Sequence, residues 1–390
     1  MESPTRVLSL SYMEIKLPKS VKYSSLILIS LVLLNFIIKG YYISINSIAG
    51  DEPFSIFHAK LDLYTIIKDL SNGNNPPLYE ILLHFWIKIV GISAPAVRLL
   101  SLIFSSITVI FIYKLGKSFF NIRVAIYTAL LFIFSNYQIL FAHEARVYAL
   151  LGLLSVMSMY YFLKIIINND IHRSTALKLI IVNVALVYAH YFGFWILLIQ
   201  FLYVIFNKEI RNKHWEKLLL IGGVIFLLYI PNCIVFINRF IYSSANGTWL
   251  SPVSDLGNLH TIIHEFSNGN TLVYLVLLFI VWFSAGVYVS KSNFNTILKF
   301  AIILFLFPIF YMTGASIFVS TPYIYLLTRE IFYVFAFLLI LLSFVLYAVF
   351  NRNTAIINTQ TKVVVFWFWF PFLTMFILSS ACTIHEFNFM

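Results

Sequence analysis

Gly50-Asp51-Glu52-Pro53 sets two carboxylates side by side, and a carboxylate held in a partly desolvated place can take the proton of an attacking hydroxyl. The same pair ahead of a proline also suits the start of a helix, whose N-terminal dipole favours negative charge. A second cluster, His143-Glu144-Ala145-Arg146-Val147-Tyr148, holds four polar or amphipathic groups within six residues. Arg98, in Pro95-Ala96-Val97-Arg98, and Arg329, in Thr328-Arg329-Glu330, complete a set of three arginines. Guanidinium forks match phosphate oxygens, so Arg329 is a candidate for binding a lipid phosphate. The alternatives are ordinary: arginines snorkel to lipid headgroups, and Glu144 and Arg146 can pair with each other.

Three further places could form a substrate site. Asn74-Asn75-Pro76-Pro77-Leu78-Tyr79 is a rigid turn that would present Tyr79, or simply a loop breaker. His190-Tyr191-Phe192-Gly193 interrupts a thirty-residue apolar run at its middle. Broken helices at membrane depth are tolerated where they line a cavity, although a lone histidine such as His190 is more often structural. Trp249, in Thr248-Trp249-Leu250-Ser251-Pro252, is either a sugar-stacking platform or an interfacial anchor.

The elements that must position these residues are set by composition. The 390 residues are 61% hydrophobic and 11% charged, with a mean hydropathy of +0.92, whereas a soluble chain carries about 25% charged residues. Long apolar runs fall at 24–45, 95–116, 121–141, 146–167, 177–206, 218–239, 271–289, 298–318, 330–350 and 363–381. A helix of roughly 20 residues crosses the hydrocarbon layer, so the expected fold is an all-α polytopic membrane protein. The run 24–45 lacks a small-residue cleavage site before Asp51 and is expected to remain as span one. The run 78–90 is too short to cross and carries Glu80, His84 and Lys88. It reads as an interfacial helix, as does 53–70. Splitting 177–206 near His190 then gives about eleven spans, with two interfacial helices in the first external loop.

Charge supports that count. Of the 26 Lys and Arg, eighteen fall on the N-terminal side of the membrane, and eight (Lys39, Lys60, Lys68, Lys88, Arg98, Arg146, Arg239, Arg329) on the other. Because basic residues favour the cytoplasm, the N-terminus is expected inside. Ten of the 15 acids then face outward, including Asp51, Glu52, Glu80 and Glu144. The long external loops, 46–94 and 240–270, are the segments large enough to build a site within one membrane domain spanning 1–390.

Taken in order, these motifs resemble the GT-C glycosyltransferases of the protein O-mannosyltransferase and aminoarabinose transferase type. In that family an acidic pair follows span one, as Asp51-Glu52 does here. A PPLY-like turn follows, here Pro76-Pro77-Leu78-Tyr79; Ala96-Val97-Arg98-Leu99 opens span two, and Glu144-Ala145-Arg146-Val147-Tyr148-Ala149-Leu150 follows span three. The resemblance covers residues 46–195 and thins afterwards to Trp249–Pro252 and to Arg329-Glu330, where the family often has Arg-Tyr. It implies an inverting, mannosyltransferase-like transfer of a sugar from a polyprenyl-phosphate donor to a hydroxyl of a lipid, glycan or protein. The setting would be the outer face of a bacterial or archaeal cell membrane. It also implies Asp51 as the base, with Glu52 orienting it or touching the acceptor, and the three arginines on the donor phosphate. Glu144, Tyr148, His190, Tyr79 and Trp249 would then be substrate contacts. Some relatives bind a divalent metal near the acidic pair, and no metal is assigned here.

The basic excess is explained by membrane topology, so no nucleic-acid partner is expected. Cys233 and Cys382 offer neither ligand spacing nor an evident disulfide. The rival class is a transporter or lipid flippase, which predicts internal repeats and acids near the bilayer midplane. Here the acids gather at one edge and no repeat is visible.

Overall fold

The computed structural model describes residues 19–72, 76–120, 122–246 and 268–271, and everything said of the structure concerns those residues. Their regular structure is helical, with no strand among them. The helices are α1 (Lys19–Gly40), α2 (Glu52–Ala59), α3 (Leu63–Leu70), α4 (Leu78–Val90), α5 (Ala94–Phe119), α6 (Ile122–Ile133), α7 (Asn136–Ala142), α8 (Tyr148–Ile166), α9 (Arg173–Ala189), α10 (Gly193–Phe206) and α11 (Lys208–Asn246). Four contain stretches long and apolar enough to cross a membrane: Tyr23–Gly40, Ala94–Phe119, Tyr148–Ile166 and Lys208–Arg239. The expected spans at 271–289 and beyond lie outside the described residues, as do Asn74, Asn75, Trp249, Arg329 and Cys382.

Helix α5 is the hub, packed against α1, α4, α6, α7 and α8. Its crossing with α6 depends on Gly116, where an added Cβ would lie 2.7 Å from the Cα of Ala125. Without a strong hydrophobic drive between helices in lipid, small residues permit the close approach that packing needs.

The run expected as one span over 121–141 is two helices, α6 and α7, bent by 64°. Ser135 adopts an extended conformation at the break. The backbone groups freed there find partners on Asn268, whose Nδ2 donates to the Phe134 carbonyl at 3.0 Å and whose Oδ1 accepts from the Asn136 N–H at 2.9 Å. A break inside an apolar bundle persists when a neighbouring side chain satisfies those groups. The α9–α10 interruption falls where the sequence places it, with His190 extended between the two helices. His190 Nδ1 accepts from the Phe192 N–H, at 3.1 Å, and Gly193 packs directly on the Leu186 carbonyl.

The segment between α1 and α5 is more finely divided than the sequence suggests. Where one helix is read over 53–70, α2 and α3 are separated at Lys60–Asp62, because Asp62 caps α3. Its carboxylate accepts from the Thr65 N–H at 3.1 Å and from Thr65 Oγ1 at 2.6 Å. These donors hold the Asp62 carboxyl below its ordinary range. Helix α4 has the thirteen residues expected of 78–90. It is tied down by His84 Nδ1–H to the Ala59 carbonyl and Trp86 Nε1–H to the Ala96 carbonyl, both 2.8 Å. Its buried residues, Tyr79, Glu80, Leu83 and His84, recur at helical spacing and face α2 and α5.

Candidate active site

The chain leaves α1, turns through Gly50 at φ +59°, and enters α2 at Glu52. A positive φ at this turn is natural for glycine and strained for most other residues. It places Asp51 and Glu52 in different surroundings although they are neighbours. The Glu52 side chain is 3% exposed, the Asp51 side chain 38%.

Glu52 is saturated by internal donors. Its Oε1 accepts from Arg98 Nε at 2.8 Å and from the Ala145 N–H at 2.9 Å; its Oε2 accepts from Arg98 Nη2 at 2.6 Å and from the Ala49 N–H at 3.2 Å. Arg98 is equally committed. Nη1 donates to the carbonyls of Ile43 and Asn46, at 3.1 and 2.7 Å, and Nη2 also donates to that of Ser47, at 2.9 Å. With Nε and Nη2 on Glu52, every N–H direction of the guanidinium has a protein acceptor. The pair therefore fastens the loop after α1, the start of α2, the start of α5 and the turn before α8 to one another.

Arg146 is also buried, but its hydrogen bonding is incomplete. Nη1 donates to Ser55 Oγ at 2.9 Å, Nη2 lies 3.9 Å from Asp51 Oδ2, the guanidinium sits 5.4 Å from the Phe54 ring centre, and Nε is buried without a hydrogen-bond partner. Ser55 Oγ–H in turn donates to Glu80 Oε1 at 2.9 Å. Asp51 precedes α2 but makes no side-chain hydrogen bond that caps it. The capping alternative for this residue thus lacks its bond, and the carboxylate is directed toward Arg146.

Beside the clamp lies a cavity of about 210 Å³, lined by residues of the loop after α1, by α7 and by His143, Glu144, Glu52 and Arg98. His143 Nε2–H donates to the Lys39 carbonyl at 2.5 Å, and burial holds the imidazole below its ordinary range, so the ring stays neutral. Asn136 also lines this cavity, and neither its Oδ1 nor its Nδ2 has a partner.

The other sequence candidates fall elsewhere. Tyr79 is fully buried, its hydroxyl 3.2 Å from Ser101 Oγ, and burial pushes the phenol up. Tyr148 and His190 are core residues in mutual ring contact, and His190 stacks on Phe192. None of the three lines the cavity. Their observed contacts are structural, holding the α4–α5 contact and the α8–α9–α10 corner. Ser55 and Glu80 belong to the site and were not singled out in the sequence. The signal was available: Glu52, Ser55, Ile56 and Ala59 form one helical face, and Glu80 shares a face with Leu83 and His84.

Glu52 and His143 do not suit a metal. Glu52 has its oxygens occupied, His143 Nε2 is committed to a carbonyl, and among the described residues no three His, Cys, Asp or Glu side chains converge.

Comparison with known proteins gives this geometry a context. Residues 74–235 match the family described as dolichyl-phosphate-mannose-protein mannosyltransferase. No curated protein matches the sequence. The fold is similar to that of ArnT from Cupriavidus metallidurans, solved bound to undecaprenyl phosphate, with TM-score 0.58 and 13% identity over 93% of this chain and 72% of that one. It is also similar to the archaeal oligosaccharyltransferase AglB from Archaeoglobus fulgidus, solved with an inhibitory peptide and a dolichol-phosphate, with TM-score 0.63 and 10% identity over 93% of this chain and 56% of that one. The arabinosyltransferase EmbB from Mycobacterium smegmatis gives TM-score 0.52 and 13% identity over 87% of this chain and 32% of that one. Residues 74–235 thus match the dolichyl-phosphate-mannose-protein mannosyltransferase family, and the chain shares the fold of these membrane glycosyltransferases.

Proposed function

We propose that the protein moves a sugar from a polyprenyl-phosphate donor to an acceptor hydroxyl, with inversion, on the outer face of a bacterial or archaeal cell membrane. The observation that carries this reading is the contrast between the two acids and their arginines. Glu52 and Arg98 consume each other, whereas Asp51 is solvent-accessible and lies beside Arg146, whose Nε is uncommitted. Asp51 takes the acceptor's proton as its oxygen attacks the anomeric carbon. The bond from that carbon to the phosphate oxygen breaks, and the lipid phosphate leaves with the electron pair. A single displacement inverts the centre. Arg146 stabilises the phosphate as its charge grows, the setting in which a pre-positioned cation is most effective. The ligands solved in ArnT and AglB agree with such a donor. Arg98 is reassigned from phosphate binding to holding the loop that carries Asp51. Arg329 and Trp249 keep their proposed roles as a second phosphate contact and a sugar platform.

Two experiments test the reading. Charge-assisted hydrogen bonds contribute about 1.5–3 kcal/mol, so Arg146→Gln should weaken undecaprenyl phosphate binding by about tenfold to a hundredfold. Unchanged affinity removes Arg146 from the donor site. For sidedness, exposed Asn72 and Lys208 are each replaced by cysteine in a background lacking Cys233 and Cys382. A membrane-impermeant maleimide on intact cells should label the first and spare the second; the reverse pattern places the site inside.

A further inference from the structure

Glu80 is the most secluded carboxyl near the site. It is 1% exposed; Oε1 accepts from Ser55 Oγ–H, and Oε2 is buried with no hydrogen-bond partner. Ser55 has a single proton, which it gives to Glu80, and its oxygen accepts from Arg146 Nη1. The three side chains therefore form a directed chain from guanidinium to hydroxyl to carboxyl, all beneath the surface on which Asp51 stands. An ionised carboxylate with one oxygen unsolvated in such a place is costly, and the neutral acid is the cheaper state.

We propose that Glu80 is a positioning residue that holds Arg146 through Ser55 while staying uncharged, so that the guanidinium keeps its full charge for Asp51 and the donor phosphate. This rests on the donor reading given above for Arg146. The contrast with the neighbouring pair supports it: Arg98 is held by direct contact with Glu52 and has no donor left, whereas Arg146 is held at one remove and keeps Nε uncommitted. Burial pushes the Glu80 carboxyl above its ordinary range, opposed by the Ser55 hydrogen bond and by the positive charges of Arg146 and His58.

The surrounding charges are mixed. On its own helix Glu80 has Tyr79, His84 and Lys88 as titratable neighbours, and α2 brings Glu52 and His58. The outer end of α5 brings Arg98. Helix α3 brings Tyr64, Lys68 and Asp69, and α9, which also packs on α4, carries Tyr188 near its C-terminal end and Arg173 and Lys178 toward its other end. Once Glu80 ionises, the nearest cation through the hydroxyl relay is Arg146, and the positive potential that the phosphate sees falls.

The test compares full-length wild type, Glu80→Leu and Glu80→Gln in detergent micelles, measuring undecaprenyl phosphate affinity from neutral to alkaline pH. Dividing variant by wild-type affinity cancels the phosphate's own titration. Glu80→Leu, which cannot hold Ser55, should bind about tenfold more weakly at neutral pH, one pKa unit's worth of coupling. Glu80→Gln should restore binding at neutral pH and then exceed wild type by about tenfold at alkaline pH, because it has no proton to lose. A purely structural role moves stability but not this pH profile. Glutamine binding as weakly as leucine, or a ratio flat with pH, overturns the proposal while leaving the phosphate site intact. No binding by any of the three proteins at any pH overturns the donor reading beneath it. Should neither variant fold, the wild type still decides. Its infrared spectrum at neutral pH must show the carbonyl band of a protonated carboxylic acid, and that band must fade over the pH range in which phosphate affinity falls. Absence of the band, or fading without loss of affinity, overturns the proposal.

Discussion

Asp51→Asn should abolish nearly all sugar transfer while the protein still inserts, folds and binds undecaprenyl phosphate. Asparagine keeps the shape of the side chain and one carbonyl oxygen but cannot accept a proton at working pH. Loss of a general base costs about 100-fold to 10,000-fold in rate. The structure makes the variant a clean probe for two reasons. Asp51 makes no capping bond to α2, so the helix start does not depend on its charge. Its side chain is the accessible member of the acidic pair, and asparagine keeps a carbonyl oxygen toward the buried Arg146 guanidinium. The 3.9 Å contact to Arg146 is long for an ion pair at a partly exposed position, and such contacts contribute at most about 1 kcal/mol. Turnover is measured on purified protein with a polyprenyl-phosphate sugar that the wild type uses. Near-normal turnover would falsify the assignment and move the base to Glu144, which lines the neighbouring cavity.

Among the described residues, most of the helical framework was legible in the sequence because hydrophobic run length is a direct readout of bilayer thickness. The short runs were the informative ones. Thirteen residues between Pro77 and Gly91 gave α4, and the interruption at His190 gave the α9–α10 corner. The bend between α6 and α7 was not legible, since it is stabilised by Asn268, more than a hundred residues away in sequence. The split at Asp62 was legible in principle, from an Asp followed three residues later by a Thr that donates to it. Site residue types were visible, yet their division of labour was not. Asp51 and Glu52 are adjacent letters, and only the backbone turn at Gly50 decides which is accessible and which is buried. Arg98 and Arg146 look equivalent as outer-edge arginines until their acceptors are counted.

That division of labour gives the second large effect, and it concerns folding. Arg98→Met removes the donors from Glu52 and leaves a carboxylate that is 3% exposed with only the backbone N–H groups of Ala49 and Ala145. It also strands the carbonyls of Ile43, Asn46 and Ser47. Breaking a buried pair by removing one partner costs about 3–5 kcal/mol, since the survivor is left as an uncompensated charge. A loss of that size is a large part of the roughly 5–15 kcal/mol by which domains are stable. The variant should therefore be recovered in much lower yield and unfold at a markedly lower temperature. The double variant Glu52→Leu with Arg98→Met separates the charge from the contact. Replacing both members of such a pair by apolar groups is often neutral, so it should regain a good part of the lost stability. Protein that does fold after Arg98→Met should bind undecaprenyl phosphate with near wild-type affinity, because Arg98 has no N–H left to offer a ligand. If Arg98→Met instead unfolds at the wild-type temperature and loses phosphate binding, the arginine is a donor-site residue and the clamp assignment fails.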